Sequence, residues 1–275
     1  MFLHRKELQY HAKPDAPDAA YAKLLQELIG GQYGEMTVAM QYLFQGWNTR
    51  GNEKYKDLLL DTATEEIGHI EMLATMVARL LEGAPLYAQE KATSDPVVGA
   101  IMGGMNPHHA IVSGLGAVPE NAQGIPWSAG YMVSSGNLLA DFRANVNAES
   151  QGRLQVARLY SMTEDKGVKD LLSFLMARDT MHQNQWLAAI EDLQAKEGGV
   201  IVPSTVPPEW EASQYSHTLY DFSEGGESSG DLPWMKEKAP DGHDFKFEQA
   251  QAFSNRPVLK PGPPESHDTL PDEDE

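Results

Sequence analysis

The sequence predicts an all-α protein: a four-helix bundle with one long crossover between helices 2 and 3, followed by an extended C-terminal arm. Three observations carry this expectation. Four stretches place apolar residues at the alternating three- and four-residue spacing of a bundle core. Two of the connections between them are only a few residues long, which makes each joined pair an antiparallel hairpin. Between the hairpins, residues 83–126 are rich in glycine and proline and show no sustained period.

Taken in order, residues 1–17 are polar and carry Pro14 and Pro17, so they read as an irregular arm. A first helix is expected over 18–49, with Asp18 as N-cap and Leu28, Glu35, Ala39, Tyr42 and Gly46 along one face. Gly30, Gly31 and Gly34 each cost a helix about 1 kcal/mol relative to alanine. Their clustering beside Glu35 points to a close approach by another element, or to a local break. After the turn at Arg50, with Asn52 as cap, a second helix runs from Glu53 to Glu82, where Gly83 and Pro85 stop it. Its inward stripe is Leu59, Thr62, Glu66, His69, Leu73, Met76 and Leu80. A third helix is expected from Ser128 to Met162, with Leu138, Phe142, Asn145, Glu149, Gly152, Val156 and Leu159 inward. A fourth runs to Lys196, with Leu172, Leu175, Asp179, His182, Trp186 and Ala189 inward. The bundle thus occupies 18–197. Residues 198–275 form an acidic, Pro- and Gly-rich arm, disordered at its end, whose aromatics (Trp210, Tyr215, Tyr220, Phe222, Trp234, Phe245) suit packing on a neighbouring subunit.

Composition narrows the functional classes. A net charge of −19 opposes nucleic acid and anionic membranes as partners. The absence of cysteine removes disulfides, thiolate metal sites and thiol catalysis, which leaves oxygen and nitrogen ligands for a hard or borderline metal. No run approaches the roughly 18 apolar residues of a membrane span, and the N-terminus places charge where a secretory signal is apolar. A soluble cytoplasmic bacterial protein is expected.

The stripes contain residues that an apolar core excludes: Glu35, Glu66 with His69, Glu149, and Asp179 with His182. A buried carboxylate without a proton, a cationic partner or a metal is costly. With 40 acids and 9 histidines in the chain, acidic-x-x-His spacing arises about once by chance, so the two occurrences carry weight only through their position in the bundle motif. Glu35 precedes its turn by about as many residues as Glu66 follows it, and Glu149 and His182 are similarly placed about the second turn, so at 1.5 Å per residue the groups reach matching heights. Taken singly, Tyr42 and Trp186 are ordinary core packing, His108 and His109 are surface or structural, and Asp57 with Asp61 is an exposed acidic face. Jointly, the inward acids and histidines resemble the dinuclear carboxylate centre of ferritin-like bundles, except that Asp179 stands where many di-iron proteins have a bridging glutamate. Its shorter side chain leaves it free as a base, with Glu66 as the bridge.

At this point the chain is similar to the manganese (non-haem) catalases. The similarity rests on Gly34-Glu-Met-Thr-Val-Ala-Met-Gln-Tyr42, Glu65-Glu-Ile-Gly-His69, Asn106-Pro-His-His109 with Gly124-Ile-Pro-Trp127, Ser135-Gly-Asn-Leu138, and Ala177-Arg-Asp-Thr-Met-His182, and it spans nearly the whole length. It implies two manganese ions per subunit, one held by Glu35 and His69, the other by Glu149 and His182, with Glu66 bridging. Tyr42 becomes a hydrogen-bond donor to the centre. Asp179 falls where the family has a proton-moving glutamate, and Ala148 where some members have an arginine, a role Arg153 could partly take. The resemblance also implies a structural calcium at Asp57, Asp61, Asp221, Ser223 and Gly225, and a homohexamer. The expected reaction is disproportionation of hydrogen peroxide to water and dioxygen, in oxidative-stress defence. The same ligands would serve a ferritin-like di-iron oxidase or iron-handling protein, and a spore-coat structural member of the family is the non-catalytic alternative.

Overall fold

The computed structural model describes residues 5–83, 106–223, 232–252, 254, 256–260 and 262–263. The chain divides into two compact units, Met1–Gly198 and Gly199–Glu275.

The first unit is helical. Helix α1 spans Ala19–Gly30, with the Asp18 side chain accepting from the Tyr21 N–H, and α2 spans Glu35–Asn48. The single helix expected over 18–49 is therefore broken at residues 31–34. The glycines there serve close approach: a Cβ at Gly30 would collide with the backbone of Glu120, and one at Gly34 with the carbonyls that end α1. The break places Glu35 in the first turn of α2. Helix α3 spans Glu53–Leu81, capped by Asn52. The part of the expected crossover over residues 84–105 lies outside the described residues. Beyond it a short helix α4, Pro107–Ile111, starts from an Asn106 cap.

Helix α5 spans Leu138–Ser161, ten residues shorter at its start than the sequence predicts. Residues 129–131 form one 3-10 turn instead, Gly136 adopts a left-handed φ of +80°, and Asn137 caps the helix through the Ala140 N–H. The Asp141 carboxylate accepts from both the backbone and the hydroxyl of Ser135, which fixes this late entry. Helix α6 spans Lys166–Glu197, capped by Asp165 and ended at Gly198 in the left-handed conformation.

Helix α3 packs on α1 and α2, and α5 packs along α6. One end of the bundle is a closed apolar cluster of Leu25, Leu28, Met72, Leu73, Met76, Leu80, Leu171, Leu172 and Leu175. The irregular N-terminal arm is tied to it. Arg79 donates to the Ala12 carbonyl, the Asp15 N–H donates to the Asp165 carboxylate while the Asp15 carboxylate accepts from the Lys166 N–H, and Tyr10 stacks on Phe174 at 4.3 Å.

The second unit carries two short strands, β1 (Thr218–Asp221) and β2 (Lys246–Gln249), paired in parallel, with a one-turn helix α7 (Pro233–Lys236) between them. Trp210, Phe222 and Trp234 are exposed. Among the described residues no helix is long and apolar enough to cross a membrane.

Candidate metal centre

Beyond the apolar cluster the bundle interior becomes polar. Glu35, Glu66, His69, Glu149, Asp179 and His182 are all buried, on α2, α3, α5 and α6. The Glu66 carboxylate lies between two imidazoles: Oε2 is 2.7 Å from His69 Nδ1, and Oε1 is 2.7 Å from His182 Nδ1. Glu35 Oε1 stands 3.7 Å from His69 Nδ1, and Glu149 Oε1 stands 3.6 Å from His182 Nδ1. Glu35, Glu66 and His69 thus form one trio whose donor atoms all lie within 4.8 Å of one another, and Glu66, Glu149 and His182 form another. Glu66 belongs to both.

The residues fit a pair of divalent cations. Although Glu66 meets each imidazole at 2.7 Å, neither of its oxygens has a hydrogen-bond partner, and neither do His69 Nδ1 and His182 Nδ1. Atoms that close yet unaligned as donor and acceptor stand as the ligand atoms of a shared cation do, with lone pairs converging on a common point. Metal bonds to these ligand types run about 2.0–2.2 Å, which sets neighbouring ligand atoms about 3 Å apart.

The charge balance points the same way. Burial and the neighbouring Glu66 push Glu35 well above the usual carboxylate range, and Glu149 is raised for the same two reasons. Asp179 is raised by burial and by Glu149 and Glu66. Burial alone would lower His69, but the charge on Glu66 and contacts with Glu65 carry it well above its ordinary value, and His182 is raised similarly. Without metal, protons hold these charges in place; a cation pair would replace them.

Glu65, which the inward stripes do not single out, is central to the surroundings. Its carboxylate takes a bidentate contact from Arg178 (2.6 and 3.1 Å), a bond from the Gln9 amide at 3.0 Å, and stands 3.1 Å from His182 Nε2 and 3.6 Å from His69 Nε2. It therefore addresses the ring nitrogens of both histidines that face away from Glu66. Burial would raise its pKa, but these hydrogen bonds hold it far below the usual range. A ligating imidazole is oriented by such a partner. The adjacent acid Glu66 obscures this role in the sequence, and Gln9 and Arg178 are distant in the chain.

Tyr42 is fully buried and its hydroxyl donates to Glu149 Oε1 at 2.5 Å, while its ring packs on Trp186. Asp179 Oδ2 is buried without a partner. Asp179 lines a small cavity with Glu35, Glu149, Ala148, Gly152 and Tyr33, so the alanine at 148 opens space beside the centre. Arg153 is exposed and donates to the Met176 carbonyl; it is not among the residues lining that cavity. His109 is buried and bonds Gln26, and His108 pairs with Glu120 at 2.6 Å. Of the residues expected around calcium, Asp57 and Asp61 lie on α3 in the first unit, while Asp221 and Ser223 lie in the second, where both the backbone N–H and the hydroxyl of Ser223 donate to Asp221. Gly225 lies outside the described residues.

Comparison with known proteins covers the whole chain. The family profile described as manganese containing catalase matches residues 1–275. A manganese catalase of Bacillus subtilis (strain 168) is 68% identical over 272 residues, which is 98% of this chain and 99% of that protein. A manganese catalase of Lactiplantibacillus plantarum is 50% identical, covering 97% of this chain and 98% of the other. The crystal structure of KatB, a manganese catalase from Anabaena, superposes with a TM-score of 0.71 at 25% identity, over 89% of this chain and 98% of that one.

Proposed function

The chain belongs to the manganese-containing catalase family, and from that premise we propose that its bundle holds two manganese ions, Glu35 and His69 on one, Glu149 and His182 on the other, with Glu66 across both. The activity is that of a manganese catalase, in which two molecules of hydrogen peroxide become two of water and one of dioxygen. The observation that supports a pair of ions over one is the membership of Glu66 in both donor trios.

When bound, the manganese pair supplies a two-electron redox couple, which reduces one peroxide and oxidises another. The remaining tasks fall to the chain. Asp179, buried beside Glu35 and Glu149 with one unpartnered oxygen, takes and returns the peroxide protons as general base and acid. Tyr42 holds the Glu149 carboxylate by its hydroxyl, and Glu65 fixes the tilt of the His182 imidazole through its Nε2. The surrounding helices keep bulk water from the centre, and Ala148 and Gly152 line a small cavity beside Glu35, Glu149 and Asp179. Peroxide is neutral, so the acidic surface neither attracts nor repels it.

In the wider reading, the assembly is a cytoplasmic homohexamer that binds calcium beside its manganese. Metal analysis of the purified protein combined with an oxygen-evolution assay tests the core of it. Two manganese per chain with release of one dioxygen per two peroxides is expected; iron in place of manganese with no oxygen release would favour an iron-handling protein instead.

A further inference from the structure

A second cluster of metal-ligating side chains lies in the C-terminal unit, distant in sequence from every residue of the bundle centre. His217 immediately precedes β1, while Asp241 and His243 lie on the turn that leads into β2. Strand pairing sets the register that joins them: Thr218 lies opposite Lys246, and the Lys246 N–H donates to the His217 carbonyl at 2.9 Å. The turn is closed on its own account by the Ala239 N–H donating to the His243 carbonyl, the Gly242 N–H donating to the Ala239 carbonyl, and a bridge between Lys238 and Asp244. Gly242 takes a φ of +91°, which a side chain would disfavour, so the turn is built into the sequence.

The outcome is a compact donor set. Asp241 Oδ2 is 2.8 Å from His217 Nε2, and Asp241 Oδ1 is 3.3 Å from His243 Nδ1. One donor atom from each residue lies within 4.8 Å of the other two. The separations match those between neighbouring ligands of an ion with bonds of about 2.0–2.2 Å. The two rings stack with centroids 4.5 Å apart at 27°. Lys238, just before the turn, is engaged with Asp244 and the Gly242 carbonyl. His243 is mostly exposed, so an ion has direct entry and water can complete its shell.

We propose that His217, Asp241 and His243 form a mononuclear site for a borderline divalent transition ion of the zinc type, independent of the bundle centre. Imidazole with a single carboxylate and no thiolate suits such an ion. Bound there, the ion ties the start of β1 to the turn before β2, clamping residues 24 apart in the chain.

Full-length protein with its manganese retained, dialysed against Zn2+, tests this. One zinc per chain is expected in excess of the manganese content, absent in His243→Ala and weakened at least tenfold in Asp241→Asn, with manganese content and oxygen evolution unchanged in both. Because His243 projects into solvent, its removal spares the fold. As a second readout, Co2+ added to wild type should give visible ligand-field bands that His243→Ala lacks. Zinc uptake that is equal in wild type and both variants, or that occurs only as manganese is released, would overturn the assignment.

Discussion

A carboxylate that meets two imidazoles and a guanidinium cannot be moved without disturbing all three, and Glu65 is such a group. It shows how the centre is held at the level of single residues: the groups that face the interior are fixed by groups one layer further out. Asp179, like Glu66, is a buried acid with an oxygen that has no hydrogen-bond partner. If it handles protons and does not hold metal, Asp179→Asn retains both manganese ions by elemental analysis while the turnover number falls by about 10²-fold or more, the usual contribution of a positioned acid or base. Loss of manganese in that variant would make Asp179 a ligand instead. The inward acids and histidines were legible in the sequence because each sits on a stripe with an i, i+3 or i, i+4 companion, and one face of a helix is readable without knowing its neighbour. Glu65 was not, since its significance is set by Gln9 and Arg178, 56 and 113 residues away. Arg153 as a stand-in for a missing arginine fails for a related reason: spacing places it one turn from Glu149, but its guanidinium reaches outward to Met176.

At the level of elements, the two halves of the bundle are locked by a polar ladder one turn from Glu149. Asn145 on α5 accepts from the amides of Gln41 and Gln45 on α2 and donates to Gln45, while Gln41 accepts from the Val133 N–H and Gln45 donates to the Val133 carbonyl. All three side chains are buried. Asn145→Ala leaves several buried amide groups unsatisfied, so the expected cost is about 2–3 kcal/mol of unfolding free energy, read as a lower urea midpoint; an unchanged midpoint would show that water replaces the lost partner. The ladder also accounts for an error of length. Helical spacing upstream of Leu138 is compatible with continuing the helix to Ser128, but tertiary bonds from Gln41 and Gln45 draw Val133 into an extended segment and Ser135 binds Asp141. The break at residues 31–34 was visible as a cluster of glycines, but choosing between a close approach and a break required knowing that Glu120 lies against Gly30.

For the whole molecule, the central question is how a bundle tolerates so much charge at its heart. In the metal-free chain the answer is protons, and the sign of the pH effect follows. His69, His182, Glu35, Glu149 and Asp179 all have pKa values raised by folding, so the folded state binds more protons than the unfolded one above the ordinary values of these groups. Stability carried by raised groups is present at low pH and is lost as pH climbs toward their folded values. Glu65 and Glu66 are lowered; their contribution is complete above about pH 4.5 and adds no slope beyond it. Chelated, metal-free protein is therefore expected to lose stability between about pH 6.5 and pH 9, measured as a falling urea midpoint, whereas the manganese-loaded protein should show a much flatter profile. A metal-free midpoint that rises over this range would contradict the account.

The most direct measurement is anomalous diffraction at the manganese absorption edge from crystals of the loaded protein. Two peaks per chain are predicted, about 3.5–4 Å apart, flanking the Glu66 carboxylate with His69 beside one and His182 beside the other. A single peak, or two peaks that do not share Glu66, would contradict the account.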